Sequence, residues 1–355
     1  MIRIRVPVER SAPDTFSPLT AEMLQTKGLP SEWAPLWPKN VYRAFHSGRI
    51  PFGRTIFRFF LADPLARLSL RHTQKGDIAW VIAFCAPFSS TAKTEESILR
   101  RGAKYVFQVV DDWFDIPNLR EGTLQRCRLA DLIGVPTAFL AKRVLEFFPE
   151  KKVVIFEEPI ETSRFKEICG KRGEKPVVLW NGNPYNHEHI SMLLGVLRRV
   201  HRKIPFRFRF ICATPPPTEF GHGLDFEYQK YDPAREAQQV SGSWLGLAPM
   251  PDTTHNRCKG AYKVKTYFAA GLPVIASPVG FQKQLIEEGG GVGFFAETTS
   301  DWEQLLLSLL GNPALSLGMG KKAQLYATHR FSFDAVADSW ASQLRNSLLL
   351  DVHPS

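Results

Sequence analysis

The stretch that decides the fold runs from Asn256 to Gly280 and reads NRCKGAYKVKTYFAAGLPVIASPVG. Its pattern predicts a loop, a helix over 261–270, a tight turn through Gly271 and Pro273, and a buried strand, Val274–Ser277. A glycine just past the last helical residue supplies a left-handed cap, and a proline after it stops the helix. A helix joined in this way to a short apolar strand is typical of α/β folds with parallel sheets.

Two lysines lie at the start of the predicted helix. Lys259 and Lys263 are four positions apart, which would place them on one face, where like charges repel by about a few tenths of a kcal/mol. Cations at a helix N-terminus also oppose the helix dipole. An anion would remove both penalties, and the free N–H groups of the first turn would help to bind it. The lysines therefore predict a diphosphate site; the alternative is a solvated face with both side chains turned away.

Strand-like apolar runs alternate with amphipathic segments along most of the chain, which predicts two successive arrays of parallel strands and helices. The predicted strands are Ile2–Val6, Ile78–Phe84, Tyr105–Val110, Leu132–Val135, Val153–Phe156, Val177–Trp180, Phe206–Cys212, Phe226–Tyr228, Trp244–Ala248, Val274–Ser277 and Gly293–Phe295. The predicted helices are Glu95–Arg101, Leu119–Arg128, Ala138–Phe147, His189–Val200, Pro233–Val240, Ala261–Ala270, Gln282–Glu287, Trp302–Leu310 and Gly318–His329. The Pro-rich stretch 13–51 gives no clear pattern.

The bulk properties fit a two-domain protein of a reducing compartment. A length of 355 residues exceeds what one core usually supports, so we expect domains at 1–170 and 171–330 and a terminal segment at 331–355. The five cysteines are scattered and form no CxxC pair, which argues against disulfides and zinc. With no signal-like start and no run of about 18 apolar residues, we expect a cytoplasmic protein, at most peripheral to a membrane.

The formal net charge is +10, and most of the excess lies in the first half. Such a field favours anionic partners, and the alternative is a solubilising bias without a partner. The segment Arg54–His72 mixes apolar and basic residues, as a helix lying on an anionic membrane surface would, although a core-facing helix has much the same pattern. Pro64 is expected to end or kink that helix. No recognition motif for nucleic acid accompanies the charge, so we expect no nucleic-acid partner.

The segment from Asn256 to Gly280 resembles the donor-site helix of GT-B glycosyltransferases, especially the retaining family 4, in which a Lys/Glu-containing helix runs into A-x-G-x-P-V-[VI]-A-S. Further similar stretches, in the family's order, are KKVVIFEEPIETSRF (151–165), VVLWNGNPYNHEHI (177–190), WLGLAPMPD (244–252) and FSFDAVADSW (331–340). Together they cover roughly residues 77–345. The resemblance implies an α/β protein of two Rossmann-like domains facing each other across a cleft: an N-terminal acceptor-binding domain, a C-terminal sugar-nucleotide-binding domain, and a C-terminal helix that crosses back to the first.

The resemblance also implies a set of donor-binding residues, which carry the diphosphate or line the nucleotide pocket. They are Asn181, Gly182, Asn183, Pro251, Asp252, Lys259, Lys263 and Thr266. Asn181–Asn183 follow a predicted strand, where open parallel sheets bind ligands, and the alternative is an ordinary Asn-Gly turn. The chain also departs from the family: Cys258 and Thr266 stand where two glutamates are usual, and no Gly-rich first loop is present.

Two carboxylates on the acceptor side are candidate catalytic groups. Asp111 and Asp112 end the predicted strand Tyr105–Val110, and paired carboxylates can activate a hydroxyl group or stabilise an oxocarbenium ion. The alternative is that they cap a helix. His187, His189 and His255 are candidates by position only, and because they show no metal-ligand spacing we expect neither a metal nor a cofactor.

The resemblance, together with the predicted diphosphate site, implies a glycosyltransferase of the hexosyltransferase type. It would move a sugar from a nucleotide-sugar donor such as a UDP- or GDP-sugar to a glycan or lipid-linked acceptor, in surface polysaccharide or glycoconjugate biosynthesis, with retention favoured over inversion. Two alternatives stay open. One is a sugar-nucleotide 2-epimerase of the same architecture, and the other is a non-catalytic protein that binds a sugar nucleotide or glycan.

Overall fold

The computed structural model describes residues 1–6, 18–46, 49–82, 92–168 and 172–349. Contacts among these residues divide the chain into two compact units. Unit 1 contains the described residues up to Glu158 together with the C-terminal segment from Val336, and unit 2 contains Pro159–Ala335. Each unit has a parallel sheet of six strands among its described residues.

The sheet of unit 1 has the strand order β2-β1-β3-β4-β5-β6. Its strands are β1 (Ile2–Val6), β2 (Ser31–Pro35), β3 (Ile78–Ile82), β4 (Lys104–Gln108), β5 (Leu132–Val135) and β6 (Val153–Ile155). All five residues of β3 are buried, as expected for a strand with helices on both faces of the sheet. The edge strand β2 reads SEWAP and is largely half-buried. It lies in the Pro-rich stretch, and the prolines in and around it, Pro30, Pro35 and Pro38, hide the pattern of a strand.

The sheet of unit 2 has the strand order β12-β11-β10-β7-β8-β9. Its strands are β7 (Val177–Gly182), β8 (Arg207–Cys212), β9 (Asp225–Lys230), β10 (Leu245–Ala248), β11 (Val274–Ala276) and β12 (Gly293–Phe295). The chain builds outward from β7 to β9 and then returns to the other side of β7 with β10. This reversal is the topological switch of a Rossmann sheet, beyond whose carboxyl ends ligands bind.

Helices connect the strands in both units. They are α1 (Pro18–Thr26), α2 (Lys39–His46), α3 (Gly53–Ile56), α4 (Ala62–Ser69), α5 (Lys93–Arg100), α6 (Pro117–Leu129), α7 (Ala138–Phe147), α8 (His187–Ser191), α9 (Leu194–Lys203), α10 (Glu236–Val240), α11 (Thr254–Arg257), α12 (Tyr262–Ala269), α13 (Gly280–Gly289), α14 (Thr299–Gly311), α15 (Pro313–Phe331) and α16 (Phe333–Leu344). Across the described ranges, no helix is both long and apolar enough to cross a membrane.

One helix prediction is wrong, and of the two outcomes expected at Pro64 the structure excludes one. The predicted helix His189–Val200 is two helices, α8 and α9. Pro64 does not end the helix in which it lies, because the π-helical turn Phe57–Leu61 joins α3 to α4 without a break. The wider π turn lies just where the Pro64 ring would meet the preceding carbonyl groups, so the chain stays helical.

The turn after α12 has the predicted form. Gly271 has a φ of +71°, and its N–H donates to the carbonyl of Phe268 at 2.9 Å. α15 packs closely over this turn, since a Cβ added at Gly320 would lie 2.0 Å from the carbonyl oxygen of Gly271. The predicted glycine cap is therefore confirmed, and the turn is also a packing site.

The C-terminal helix α16 belongs to unit 1 from Val336 onward. The ring of Trp340 lies 5.3 Å from that of Trp80 and 5.4 Å from that of Phe156, and its Nε1 donates to the carbonyl of Glu157 at 3.2 Å. With a parallel α/β sheet in each unit and a helix that returns to the first, the predicted fold class of two Rossmann-like domains is confirmed.

Candidate functional site

The candidate site lies at the switch point of the unit 2 sheet, between the carboxyl ends of β7 and β10. β7 ends at Gly182, β10 ends at Ala248, and the two strands are parallel neighbours. Helix α12 begins close to these strand ends and carries Lys263 toward them. Trp180 of β7 lies beneath that lysine, with the Lys263 Nζ 4.6 Å from the centroid of the indole ring.

The backbone before α12 is unusual. Ala261 has a φ of +54°, a left-handed conformation that a non-glycine residue rarely adopts and that costs about 1 kcal/mol or more. The helix begins at Tyr262, so Lys259 lies in the preceding turn and not on a helical face with Lys263. The predicted face-sharing of the two lysines is therefore wrong. An alanine side chain cannot cap a helix, and Ala261 gives α12 no side-chain cap.

Lys263 carries a strongly perturbed ammonium group. Burial against Trp180, with a smaller contribution from the positive charge of Lys259, lowers the pKa of Lys263 from 10.5 to about 7. The two lysines thus influence each other although they share no helical face. A lysine whose pKa lies near 7 and that has a second cation beside it strongly favours binding of an anion.

His189 of α8 adds a third basic group and His255 of α11 a fourth. His189 is buried, and its pKa falls from 6.5 to about 4, because burial disfavours the imidazolium and because Lys259, Lys263 and His255 add positive charge around it. Its Nε2 lies 3.9 Å from Glu188, but at neutral pH the ring is uncharged and this contact is not an ion pair. We call these four residues the basic cluster: His189 comes from α8, and the other three come from the continuous segment 255–263.

Tyr267 holds the strands of the site in place. Its hydroxyl accepts a hydrogen bond from the backbone N–H of Asn181 at 3.0 Å and donates to the carbonyl of Leu247 at 3.3 Å. A Cβ added at Gly246 would lie 2.3 Å from the Tyr267 ring, so only glycine fits beneath it. Sequence reasoning missed both residues, and no local pattern marks a tyrosine that bridges two strands.

A second helix start borders the site. α13 begins at Gly280, which has a φ of +54° and lies so close to the backbone of Arg257 that an added Cβ would be 2.5 Å from its carbonyl oxygen. Gln282 ties the neighbouring strand ends together by donating to the carbonyls of Ser277 at 2.6 Å and Ala248 at 3.3 Å. The glycine that opens this helix was the available sequence signal.

The three predicted residues at the end of β7 have local roles. Asn181 is 7% exposed, and its Oδ1 has no hydrogen-bond partner among the described residues. Gly182 is required by the Trp180 ring, which an added Cβ would approach to 2.5 Å. Asn183 accepts a hydrogen bond from the N–H of Tyr185 at 3.3 Å and caps the short 3₁₀ turn that follows. Of the three, Asn181 is the one with a buried polar atom that lacks a hydrogen-bond partner.

The other predicted donor residues lie around α11 and α12. The Pro251 carbonyl accepts from Asn256 Nδ2 at 2.9 Å, and Asp252 forms a bidentate pair with Arg257, with distances of 2.5 and 2.7 Å. Thr266 is fully buried on the inner side of α12. The structure thus brings Lys259 and Lys263 together, gives Asp252 an arginine partner, and leaves Thr266 away from the site surface.

The predicted catalytic pair lies in unit 1, after β4. Asp112 is 2% exposed, accepts from the N–H of Phe114 at 3.2 Å, and lies 3.5 Å from the Nε of Arg143. Asp111 is half-buried. The ion pair with Arg143 therefore engages Asp112. Within the described ranges no group of three or more His, Cys, Asp or Glu residues could hold a metal ion.

Comparisons by sequence give no match: no protein-family model matches the chain, and no curated protein does. Solved structures do match. Sucrose-phosphate synthase from Thermosynechococcus elongatus superposes with a TM-score of 0.67 at 13% identity, covering 99% of this chain and 100% of that one. Anabaena HepE, solved with UDP, gives a TM-score of 0.64 at 12% identity, covering 97% and 99%.

S. aureus TarM gives a TM-score of 0.62 at 13% identity over 79% of this chain and 58% of TarM, so this chain spans less than two thirds of TarM's length. These neighbours are built on the same two-domain plan. At such identities the likeness establishes architecture alone. The chain therefore has the GT-B fold: two Rossmann-like domains, each with its own parallel sheet, and a C-terminal helix that returns to the first.

Proposed function

We propose that this chain is a glycosyltransferase that takes its sugar from a nucleoside-diphosphate sugar. The observation that carries the proposal is the basic cluster at the switch point of the unit 2 sheet. Lys259, Lys263, His189 and His255 converge there, and the start of α12 adds backbone N–H groups. A diphosphate has the charge and size that this arrangement would bind.

The perturbed protonation of Lys263 and His189 supports an anionic ligand. In the free protein their pKa values lie at about 7 and about 4, because burial and mutual repulsion disfavour the charged forms. A bound diphosphate would supply the missing negative charge and restore the lysine ammonium group. Solvated surface lysines would not have their pKa lowered in this way.

The cluster would also assist the reaction. As the bond between the sugar and the diphosphate breaks, negative charge grows on the departing phosphate oxygen. A fixed ammonium group beside that oxygen binds the transition state more tightly than the ground state, which lowers the barrier. Lys263 is our candidate for this role, with Lys259 as a second binding group.

UDP is the first nucleotide to test, because HepE was solved with it. For the acceptor we propose a glycan or a lipid-linked sugar, as in surface polysaccharide or glycoconjugate synthesis, and for the stereochemistry we propose retention. Retention is the outcome that the resemblance of the segment Asn256–Gly280 to the retaining family 4 enzymes implies. The anomeric proton signal of the product reports the configuration directly.

Thermal stabilisation by a panel of nucleotides tests the first step. At about a hundred times its dissociation constant a ligand adds about 2.7 kcal/mol to the stability of the native state, so the unfolding midpoint should rise by several degrees. We expect UDP or GDP and their sugars to do this, and adenosine without phosphate to have no effect. If no nucleoside diphosphate stabilises the protein, the proposal fails.

Substitution of Lys263 tests the second step. Lys263→Ala should keep the fold but lower the transfer rate about a hundredfold, the effect of removing about 3 kcal/mol of transition-state stabilisation. Lys321→Ala, which removes an exposed lysine of α15, is the control and should transfer at the original rate. Unchanged turnover in Lys263→Ala would refute the assignment. A product formed without any acceptor would indicate an epimerase instead.

A further inference from the structure

One helix of unit 1 has an apolar face that no described residue covers. It runs without a break from Gly53 to Ser69 through the π turn Phe57–Leu61. Its inner face is buried at four positions, Gly53, Phe57, Ala62 and Ala66. Successive buried positions are four, five and four residues apart in the sequence. The π turn accounts for the one step of five residues. It keeps the buried residues of both halves of the helix facing the rest of unit 1.

The opposite face of this helix is apolar as well. Phe60 and Leu68 each stand two residues from a buried alanine, about 200° around the helix, and they are 71% and 55% exposed. Ile56 is 37% exposed, and Phe52, just before the helix, is 83% exposed with a φ of +54°. We call Phe52, Ile56, Phe60 and Leu68 the apolar stripe.

Positive charge accompanies the stripe. Between Arg49 and His72 the sequence holds five arginines and one aspartate, a formal charge of +4. Arg67 forms an ion pair with Asp63, in which Nη2 lies 3.0 Å from Oδ2. Arg71 is exposed at the C-terminal end of the helix. Arg101 donates to the carbonyl of Arg71 at 2.9 Å and brings a further exposed guanidinium to that end.

We propose that this helix docks on the surface of a membrane rich in anionic lipids, with the apolar stripe at the boundary between headgroups and acyl chains. Exposed aromatic and aliphatic side chains gain by leaving water, and the surrounding arginines are attracted by the lipid phosphates. A second copy of this chain is a poorer occupant, because symmetric docking would bring two segments of charge +4 together. The inference is independent of the proposed transferase activity.

Vesicle flotation with the full chain tests the proposal. We expect binding to vesicles that contain phosphatidylglycerol, weaker binding to vesicles of phosphatidylcholine alone, and partial release by salt, which screens charge but not apolar contacts. Phe60→Ser and Leu68→Ser should each weaken binding to the anionic vesicles about tenfold. Arg71→Glu should weaken it several-fold, and this loss should shrink as the salt concentration rises.

The matched control is Leu325→Ser, since Leu325 is a 61% exposed leucine on α15 of unit 2. It should bind the vesicles like the unsubstituted chain. All the substituted positions are exposed, so circular dichroism should report an unchanged fold. The proposal is overturned if the chain ignores anionic vesicles, or if Phe60→Ser and Leu68→Ser bind as well as the control. It is also overturned if, without lipid, these two variants abolish a dimer seen by sedimentation, because the face would then be a contact between copies.

Discussion

At the scale of single residues, diphosphate binding depends on the protonation state of Lys263. Its pKa of about 7 in the free protein means that the ammonium and amine forms are both populated near neutrality. A diphosphate binds the ammonium form, so binding should pull the pKa back toward its ordinary value of 10.5. Diphosphate binding is therefore linked to protonation of Lys263 at pH values between about 7 and 10.5.

The linkage predicts a pH dependence with a definite sign. Above pH 7 the free lysine is mostly neutral, so UDP binding must take up a proton, and affinity should fall as the pH rises toward 10.5. Titration calorimetry of UDP at pH 8, in two buffers that differ in ionisation enthalpy, should show uptake of about one proton. Below pH 7 this contribution should level off.

Lys263→Arg is the control for this measurement. A guanidinium stays charged at all these pH values, so the variant should bind UDP with no proton uptake at this position. Equal calorimetric enthalpies in the two buffers for the unsubstituted protein would contradict the link. The prediction follows from burial against Trp180, which no reading of the local sequence supplies.

At the scale of the elements, Tyr267 joins α12 to β7 and β10. Replacing it with phenylalanine leaves the buried N–H of Asn181 and the carbonyl of Leu247 without this partner. Tyr267→Phe should therefore lower the free energy of unfolding by about 1–3 kcal/mol. It should also weaken UDP binding, because the strand ends that frame the site would no longer be held together.

Urea denaturation measures the stability change and thermal shift measures the binding change. The matched control is Tyr326→Phe, since the Tyr326 hydroxyl donates to an exposed Glu288 at 2.9 Å. Its loss should cost less than about 1 kcal/mol and leave UDP binding intact. Equal effects of the two substitutions would mean that Tyr267 has no special role in fixing the strand ends.

At the scale of the whole molecule, each unit has its own sheet and core. Trp340 anchors the C-terminal helix in unit 1, and its removal leaves a cavity beside Trp80 and Phe156. We expect Trp340→Ala to destabilise unit 1 by about 3–5 kcal/mol and to leave unit 2 unchanged. UDP should have the complementary effect and stabilise unit 2.

Scanning calorimetry distinguishes the units if each unfolds cooperatively. Trp340→Ala should move the transition of unit 1 to lower temperature, and UDP should move that of unit 2 to higher temperature. UDP added to the variant serves as the control, because the shift of unit 2 should be the same as in the unsubstituted chain. A single transition that both changes displace would contradict two units of separate stability.

Much of the architecture could be predicted from the sequence because its determinants are local. Apolar runs such as IAWVI mark strands buried on both faces, and Gly271 with Pro273 marks the end of α12, since a left-handed cap and a rigid φ depend on residue type alone. The edge strand β2 is interrupted and flanked by prolines, and sequence patterns missed it for that reason.

The sequence by itself determined the α/β class, most strands, the glycine cap of α12 and the presence of two lysines before a buried strand. Only the tertiary structure decided that His189 lies near Lys259 and Lys263 and that Trp180 lies under Lys263. The physical reason is the separation along the chain over which each interaction acts. Turn and strand preferences act between neighbours in the chain, whereas pKa shifts and site geometry depend on strand order, which brings residues far apart in sequence to one edge of a sheet.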